Sequence, residues 1–208
     1  MKHRRLTGII TGDVINSKQT PPRSWLKVLK NELNSLGDSP KIWEIYRGDS
    51  FQVQVKDAAD VLFVSVCLKA AFKSVKGLDI RIAIGVGEKS YSAARITESN
   101  GTAFVYSGDL AEEIKETRQN LAVRSGNQEF DDEMNLYLRL ALIVMNGWTG
   151  AAAQTVYAAL KNQQKSQEEL GRMLHIGQNA VSARLKRANY TEVMELIAMF
   201  RRKIQSLK

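Results

Sequence analysis

The sequence of 208 residues is poor in the side chains on which small stapled or metal-held folds depend, with one cysteine and two histidines. A single cysteine, Cys67, cannot close an intramolecular disulfide, so a disulfide framework is excluded. His3 and His175 have no cysteine or acidic cluster beside them at zinc-like spacing, which argues against a structural zinc. No apolar run approaches the length of about eighteen residues expected of a membrane-spanning helix. The basic opening "MKHRRLT" leads into an apolar run that is short and meets Asp13, unlike a secretory leader. No internal repeat or low-complexity tract is present. These absences point to a cytoplasmic protein with no membrane partner.

What is present is ordinary for a globular chain: 44% hydrophobic and 25% charged residues, enough length for one or two domains and a substantial core. Cys67 lies in "VLFVSVCLKAAF", where it reads as a small buried hydrophobe rather than a nucleophile. The formal charge is +8, which favours polyanionic partners. The excess is uneven. From Lys161 onward ten bases face four acids, whereas Gly126 to Leu160 sets Glu129, Asp131, Asp132 and Glu133 against Arg139 alone.

The first 125 residues alternate strand and helix signals. "LTGIITGD" reads as a buried strand ending at Asp13, and "SWLKVLKNELNSL" as an amphipathic helix with Trp25, Leu26, Leu29, Leu33 and Leu36 inward. "KIWEIYR" and "FQVQV" read as a hairpin around Gly48-Asp49-Ser50. "DAADVLFVSVCLKAAFKSV" reads as a largely buried helix and "DIRIAIGVGE" as a strand. "GTAFVYS" reads as another strand, "GDLAEEIKETR" as a helix and "NLAVRS" as a last strand. The expected fold class is α+β: a ferredoxin-like, palm-type sheet with helices on one face, followed by an all-α domain. The expected boundaries are 1–125 for the sheet domain, 126–148 for a connecting helix and 149–208 for the helical domain, with "SGNQ" (Ser125 to Gln128) as linker. The connecting helix opens on acids, suiting its dipole, and its second half is apolar nearly all round, so it needs a second packing partner.

The segment "SQEELGRMLHIGQNAVSARLKRA" carries the most specific pattern. Ser166 and Glu169 form a capping box, and Leu170, Leu174, Ile176, Val181 and Leu185 suit two short helices packed across a tight turn. Gly171 is small where a close approach is needed. Gln178, Asn179, Ser182, Arg184, Lys186 and Arg187 then point outward. Gln and Asn can pair with adenine edges, and Arg reads guanine or holds phosphate. The segment resembles the helix-turn-helix of bacterial regulators, with His175 at the usual glycine of the turn and Gly177 in place of a serine cap. Double-stranded DNA is the expected partner, and paired half-sites imply a homodimer.

Asp13 and Asp49 are the candidate metal ligands of the first domain, because the first strand lies beside the second strand of the hairpin in such a sheet. Two convergent carboxylates are what Mg²⁺ with a triphosphate requires. From Leu6 to Ser125 the pattern resembles the palm-like domain of class III nucleotide cyclases and diguanylate cyclases, on "TGDVINS", "YRGDSF" and "RIAIGVGE". The resemblance implies a nucleotide ligand held by Val14, Ile15 and Asn16 backbone with Arg47 and Gly48. The hairpin has Ser50 where a diguanylate cyclase has a second acid, and "SGDLAEEIKETR" lacks the asparagine and arginine that nucleotide cyclases use.

The whole chain resembles the SatD family of small bacterial proteins, on "ITGDVINS", "RGDSFQV", "IRIAIGVGE", "TAFVYSGDLAEEI" and "SQEEL…AVSARLKRA". The leading expectation is a DNA-binding transcriptional regulator whose first domain senses a ligand or mediates assembly. The alternative is a Mg²⁺-dependent nucleotide enzyme targeted by its helix-turn-helix, and a third reading is a dimeric scaffold with neither site active.

Overall fold

The computed structural model describes residues 6–207; the basic opening with His3, and Lys208, lie outside the described residues. The described residues form an α+β fold with one five-stranded mixed sheet and eight α-helices. In chain order these are β1 (Thr7–Ile15), α1 (Pro22–Asn34), β2 (Trp43–Tyr46), β3 (Ser50–Val55), α2 (Val61–Lys73), β4 (Asp79–Gly87), α3 (Thr102–Glu116) and β5 (Leu121–Arg124). Five helices follow: α4 (Gln128–Asn146), α5 (Gly150–Lys161), α6 (Gln167–Leu174), α7 (Gln178–Arg187) and α8 (Tyr190–Ser206).

The sheet order is β2-β3-β1-β4-β5, antiparallel throughout except for the parallel pair β4 and β5. The first strand does lie beside the second strand of the hairpin, with Asp13 opposite Ser50. It continues to Ile15, so Asp13 sits within the strand rather than at its end.

Two expectations need correction. Helices cover both faces of the sheet, not one. Ile10, Val14, Ile82 and Ile84 join the main core with α1 and α2, while Ile9 packs with Ile96, Ala103 and Phe104. On that second face Ala83, Leu110, Ala111, Ile114 and Ala122 form a further cluster. Because successive side chains point to opposite faces, burial of both Ile9 and Ile10 requires a layer on each side.

Second, "GTAFVYS" is not a strand: it opens α3, whose buried residues Ala103, Phe104, Ser107, Leu110, Ala111 and Ile114 follow helical spacing. The helix is drawn onto β4 at Gly85, where a Cβ would stand 2.0 Å from the Ala103 carbonyl oxygen. Thr11 closes the same contact by donating to Ser107 Oγ at 3.0 Å.

The segment before α4 is pinned rather than loose. Asp131 accepts from the Ser125 N–H and hydroxyl, each at 2.8 Å, and from the Gly126 N–H at 3.2 Å. The helical region then packs onto the sheet region through a continuous apolar cluster that runs from Ile10 and Leu62 to Phe200 and Ile204. Glu32 of α1 is buried in that contact, accepting from the Tyr157 hydroxyl and pairing with Lys161 at 3.0 Å. Arg201 of α8 pairs with Asp60 at 3.0 Å. No helix among the described residues is long and apolar enough to cross a membrane.

Candidate functional site

The two aspartates are neighbours in the backbone, and their side chains have different partners. The hairpin turn reverses at Arg47 (φ 48°) and Gly48 (φ 87°), and the Asp49 carbonyl accepts the Val14 N–H at 3.2 Å. That N–H is therefore already spent and is not offered to a ligand. Ser50 is the register partner of Asp13 and shares its face of the sheet, whereas Asp49 lies in the turn before β3.

Each carboxylate has its own partner. Arg81, opposite Asp13 on β4, donates through Nη1 to both Asp13 oxygens at 3.0 Å. The side chains of this pair are only 18% and 17% exposed. Asp49 accepts from the Ser17 hydroxyl. Around Asp13 the cavity lined by Tyr46, Arg47, Ser50, Glu112 and Lys115 holds about 20 Å³, room for one water and not for a nucleotide. Burial raises the Tyr46 hydroxyl pKa there; Arg47 opposes the rise, and Glu112 and Asp13 add to it. No group of three or more His, Cys, Asp or Glu among the described residues is placed to hold a metal.

Ile15 and Asn16 open instead on a much larger cavity, about 800 Å³, at the same end of the sheet. Asn16 is left-handed (φ 63°) and its side-chain amide donates to the Gly77 carbonyl at 3.4 Å. The cavity carries lysines and arginines that sequence reasoning did not single out: Lys73, Lys76, Lys115 and Arg118. Their only sequence signal is basic residues clustered in "KSVKG" and "KETR", at two helix ends.

The second candidate surface lies on α6 and α7. Ser166 and Glu169 form the expected reciprocal cap, with the Glu169 N–H donating to Ser166 Oγ at 3.2 Å and the Ser166 N–H to the Glu169 carboxylate at 2.7 Å. Those bonds, the backbone one foremost, hold the Glu169 carboxyl below its ordinary range. His175 takes the left-handed conformation (φ 54°, ψ 42°) that ends α6. The Ile176 N–H then donates to the Gly171 carbonyl at 2.9 Å. A Cβ on Gly171 would stand 2.7 Å from the Ile176 carbonyl oxygen, so the tight turn needs glycine there.

Val181 and Leu185 anchor α7 inward. Gln178, Asn179, Ser182, Lys186 and Arg187 are exposed, while Arg184 is half-buried at the side of the helix. Ala183, not singled out from the sequence, is exposed at the centre of the outward arc between Asn179, Ser182, Lys186 and Arg187. A small residue there lets the helix backbone approach another surface closely. The acids of this segment, Glu168 and Glu169, lie on α6, so α7 itself is without negative charge.

No curated protein matches the chain. Residues 8–196 match the SatD family, a span that takes in the sheet, the aspartate end and both helices of the α6–α7 pair, and the chain belongs to that family.

Proposed function

We propose that the protein is a DNA-binding transcriptional regulator, with α6 and α7 acting as a helix-turn-helix and the sheet region as a ligand-sensing or assembly domain. The observation that carries this reading is the surface of α7. It exposes Gln178, Asn179, Ser182, Lys186 and Arg187 around Ala183, with Val181 and Leu185 holding the helix from behind. Amide and hydroxyl side chains read base edges, flanking cations hold phosphates, and an exposed alanine can meet a thymine methyl. The capped first helix and the left-handed turn at His175 support the same reading. The strand order β2-β3-β1-β4 supports a ferredoxin-like, palm-type sheet, with β5 added beside β4.

We also propose that the regulator is a homodimer formed through α4. Leu136, Leu140 and Ile143 are 47%, 55% and 75% exposed along one stripe of that helix. Beside them runs an apolar groove of about 580 Å³ between α4 and α8, lined by Val144, Val193, Leu196 and Met199. A second copy is the occupant that a two-half-site reader supplies. The groove rim carries Glu192 and Glu195 as well as Arg202, so two copies related by a twofold axis can set acid against base.

The alternative, a Mg²⁺-dependent nucleotide enzyme, has less to support it. Asp13 is engaged by Arg81, Asp49 accepts from Ser17, and the space at Asp13 fits one water. Selection of bound duplexes from a random pool tests the regulator reading. The wild-type protein is expected to enrich a sequence with two half-sites, and Asn179→Ala with Ser182→Ala to relax it. Absence of any enriched sequence would refute specific recognition.

A further inference from the structure

The cavity of about 800 Å³ at the β1 and β4 end of the sheet is predominantly basic. Lys73, Lys76, Arg81, Lys115 and Arg118 line it, and Asp79 is the one acid among its lining residues. Asp79 is occupied by Lys69 at 2.8 Å, with Lys73 at 3.9 Å. Arg81 is held by Asp13 and Lys115 by Glu112 at 3.0 Å. The side chains of Lys76 and Arg118 have no partner among the described residues. They extend from the turn before β4 and the turn after α3.

Its size is that of a small-molecule site rather than of a surface dimple. Cations fixed on a concave wall concentrate field lines and favour a multiply charged anion over a single carboxylate. Phosphate groups suit lysines and arginines arranged in this way. Asn16 and Asn120 add amide side chains to the rim.

The cavity also touches the junction with the helical region. Trp148, between α4 and α5, and Gly150, the first residue of α5, form part of its wall. Trp148 Nε1 donates to the Ala188 carbonyl at 3.0 Å, at the residue that ends α7. Lys73 Nζ donates to the carbonyl of Asn146, the last residue of α4, at 2.8 Å. An anion that draws Lys73 inward competes with that bond, and a ligand pressing on Trp148 acts one hydrogen bond from the end of α7.

We propose that this cavity is a binding site for a small polyphosphate-bearing ligand, and that its occupancy alters the affinity of α7 for DNA. Binding itself stands on the cavity; only its effect on DNA rests on the regulator reading above. No step through metal is needed, since the cations of the chain meet the phosphates directly.

The test is calorimetric titration of the full chain with inorganic triphosphate in EDTA at low ionic strength, then with ATP and GTP. Inorganic triphosphate is expected to bind, and Lys76→Ala with Arg118→Ala to weaken it by about tenfold or more. Both residues are exposed, so an unchanged melting temperature without ligand verifies that the variant folds. Equal affinity for inorganic triphosphate and nucleotides assigns recognition to phosphate alone, and tighter nucleotide binding adds a base contact; either supports the site. Absence of triphosphate binding, or equal binding by the variant, overturns it. Loss of duplex binding in the variant, with no competition by triphosphate, would make the cavity a DNA-backbone surface and also overturn it. Calorimetry reads the site even if the protein binds no DNA. With DNA bound, saturating triphosphate is expected to change the duplex dissociation constant, and an unchanged constant would refute the coupling alone.

Discussion

Replacing Arg81 with methionine separates a structural Asp13 from a ligand-ready one. Arg81 makes two 3.0 Å bonds to Asp13, and more than four-fifths of each side chain is out of solvent. Removing the guanidinium leaves a largely buried carboxylate without its counter-ion. Breaking a fully buried pair costs about 3–5 kcal/mol, and partial exposure of both groups reduces this to about 2–3 kcal/mol. The cost is specific to the charge left behind. Asp13→Leu combined with Arg81→Met removes both partners and is expected to recover most of the loss, leaving a coupling of about 2 kcal/mol in a double-mutant cycle. Urea unfolding monitored by tryptophan fluorescence measures all four proteins. Additive losses in the double variant, or a loss below about 0.5 kcal/mol for Arg81→Met, would refute the pairing as the reason Asp13 is held in place.

Burial pushes the Cys67 thiol up to about 12, so it stays a thiol at neutral pH. A disulfide reagent at pH 8 is expected to modify it only at the rate of unfolding, and prompt labelling of the native protein would contradict that burial. The Glu169 carboxyl is held below its ordinary value of 4.5, so its contribution is present above that value and lost as pH falls through the lowered one. Glu169→Ala is therefore expected to be less stable than wild type at pH 7, with the gap narrowing below the ordinary glutamate range; a constant gap would count against the cap. Leu140→Glu on the exposed α4 stripe is expected to convert a dimer to monomer in sedimentation velocity without changing the melt of the monomer. A wild type that sediments as a monomer at high concentration would refute the dimer.

Much of the architecture was legible because local signals agreed with one another. The β2–β3 hairpin followed from alternation around "YRGDS", and the α6–α7 pair from a capping box with apolar spacing. The misreadings arose where a distant element decides. "TAFVYS" is rich in strand-favouring residues, and it is helical because the bare backbone of Gly85 lets α3 settle onto β4. The layer on the second face was hidden because Ile9 and Ile10 are both apolar, a pattern equally open to one buried face and a nearby exposed one. The pairing of Asp13 with Arg81 depends on cross-strand register across 68 residues, which local spacing does not encode. The basic cavity is assembled from helix ends and turns, so its lysines read singly as solvated charges.

Fluorescence anisotropy of a labelled duplex over a range of salt concentrations measures whether α7 makes the proposed contact with DNA. Wild type is compared with Lys186→Ala and Arg187→Ala, both exposed positions whose loss leaves the helix core intact. Wild type is expected to bind at low salt, with the logarithm of affinity falling linearly with the logarithm of salt concentration, and each variant to lose about one from that slope if its cation holds a phosphate. Absence of binding at low salt, or variants with the affinity and slope of wild type, would contradict that contact.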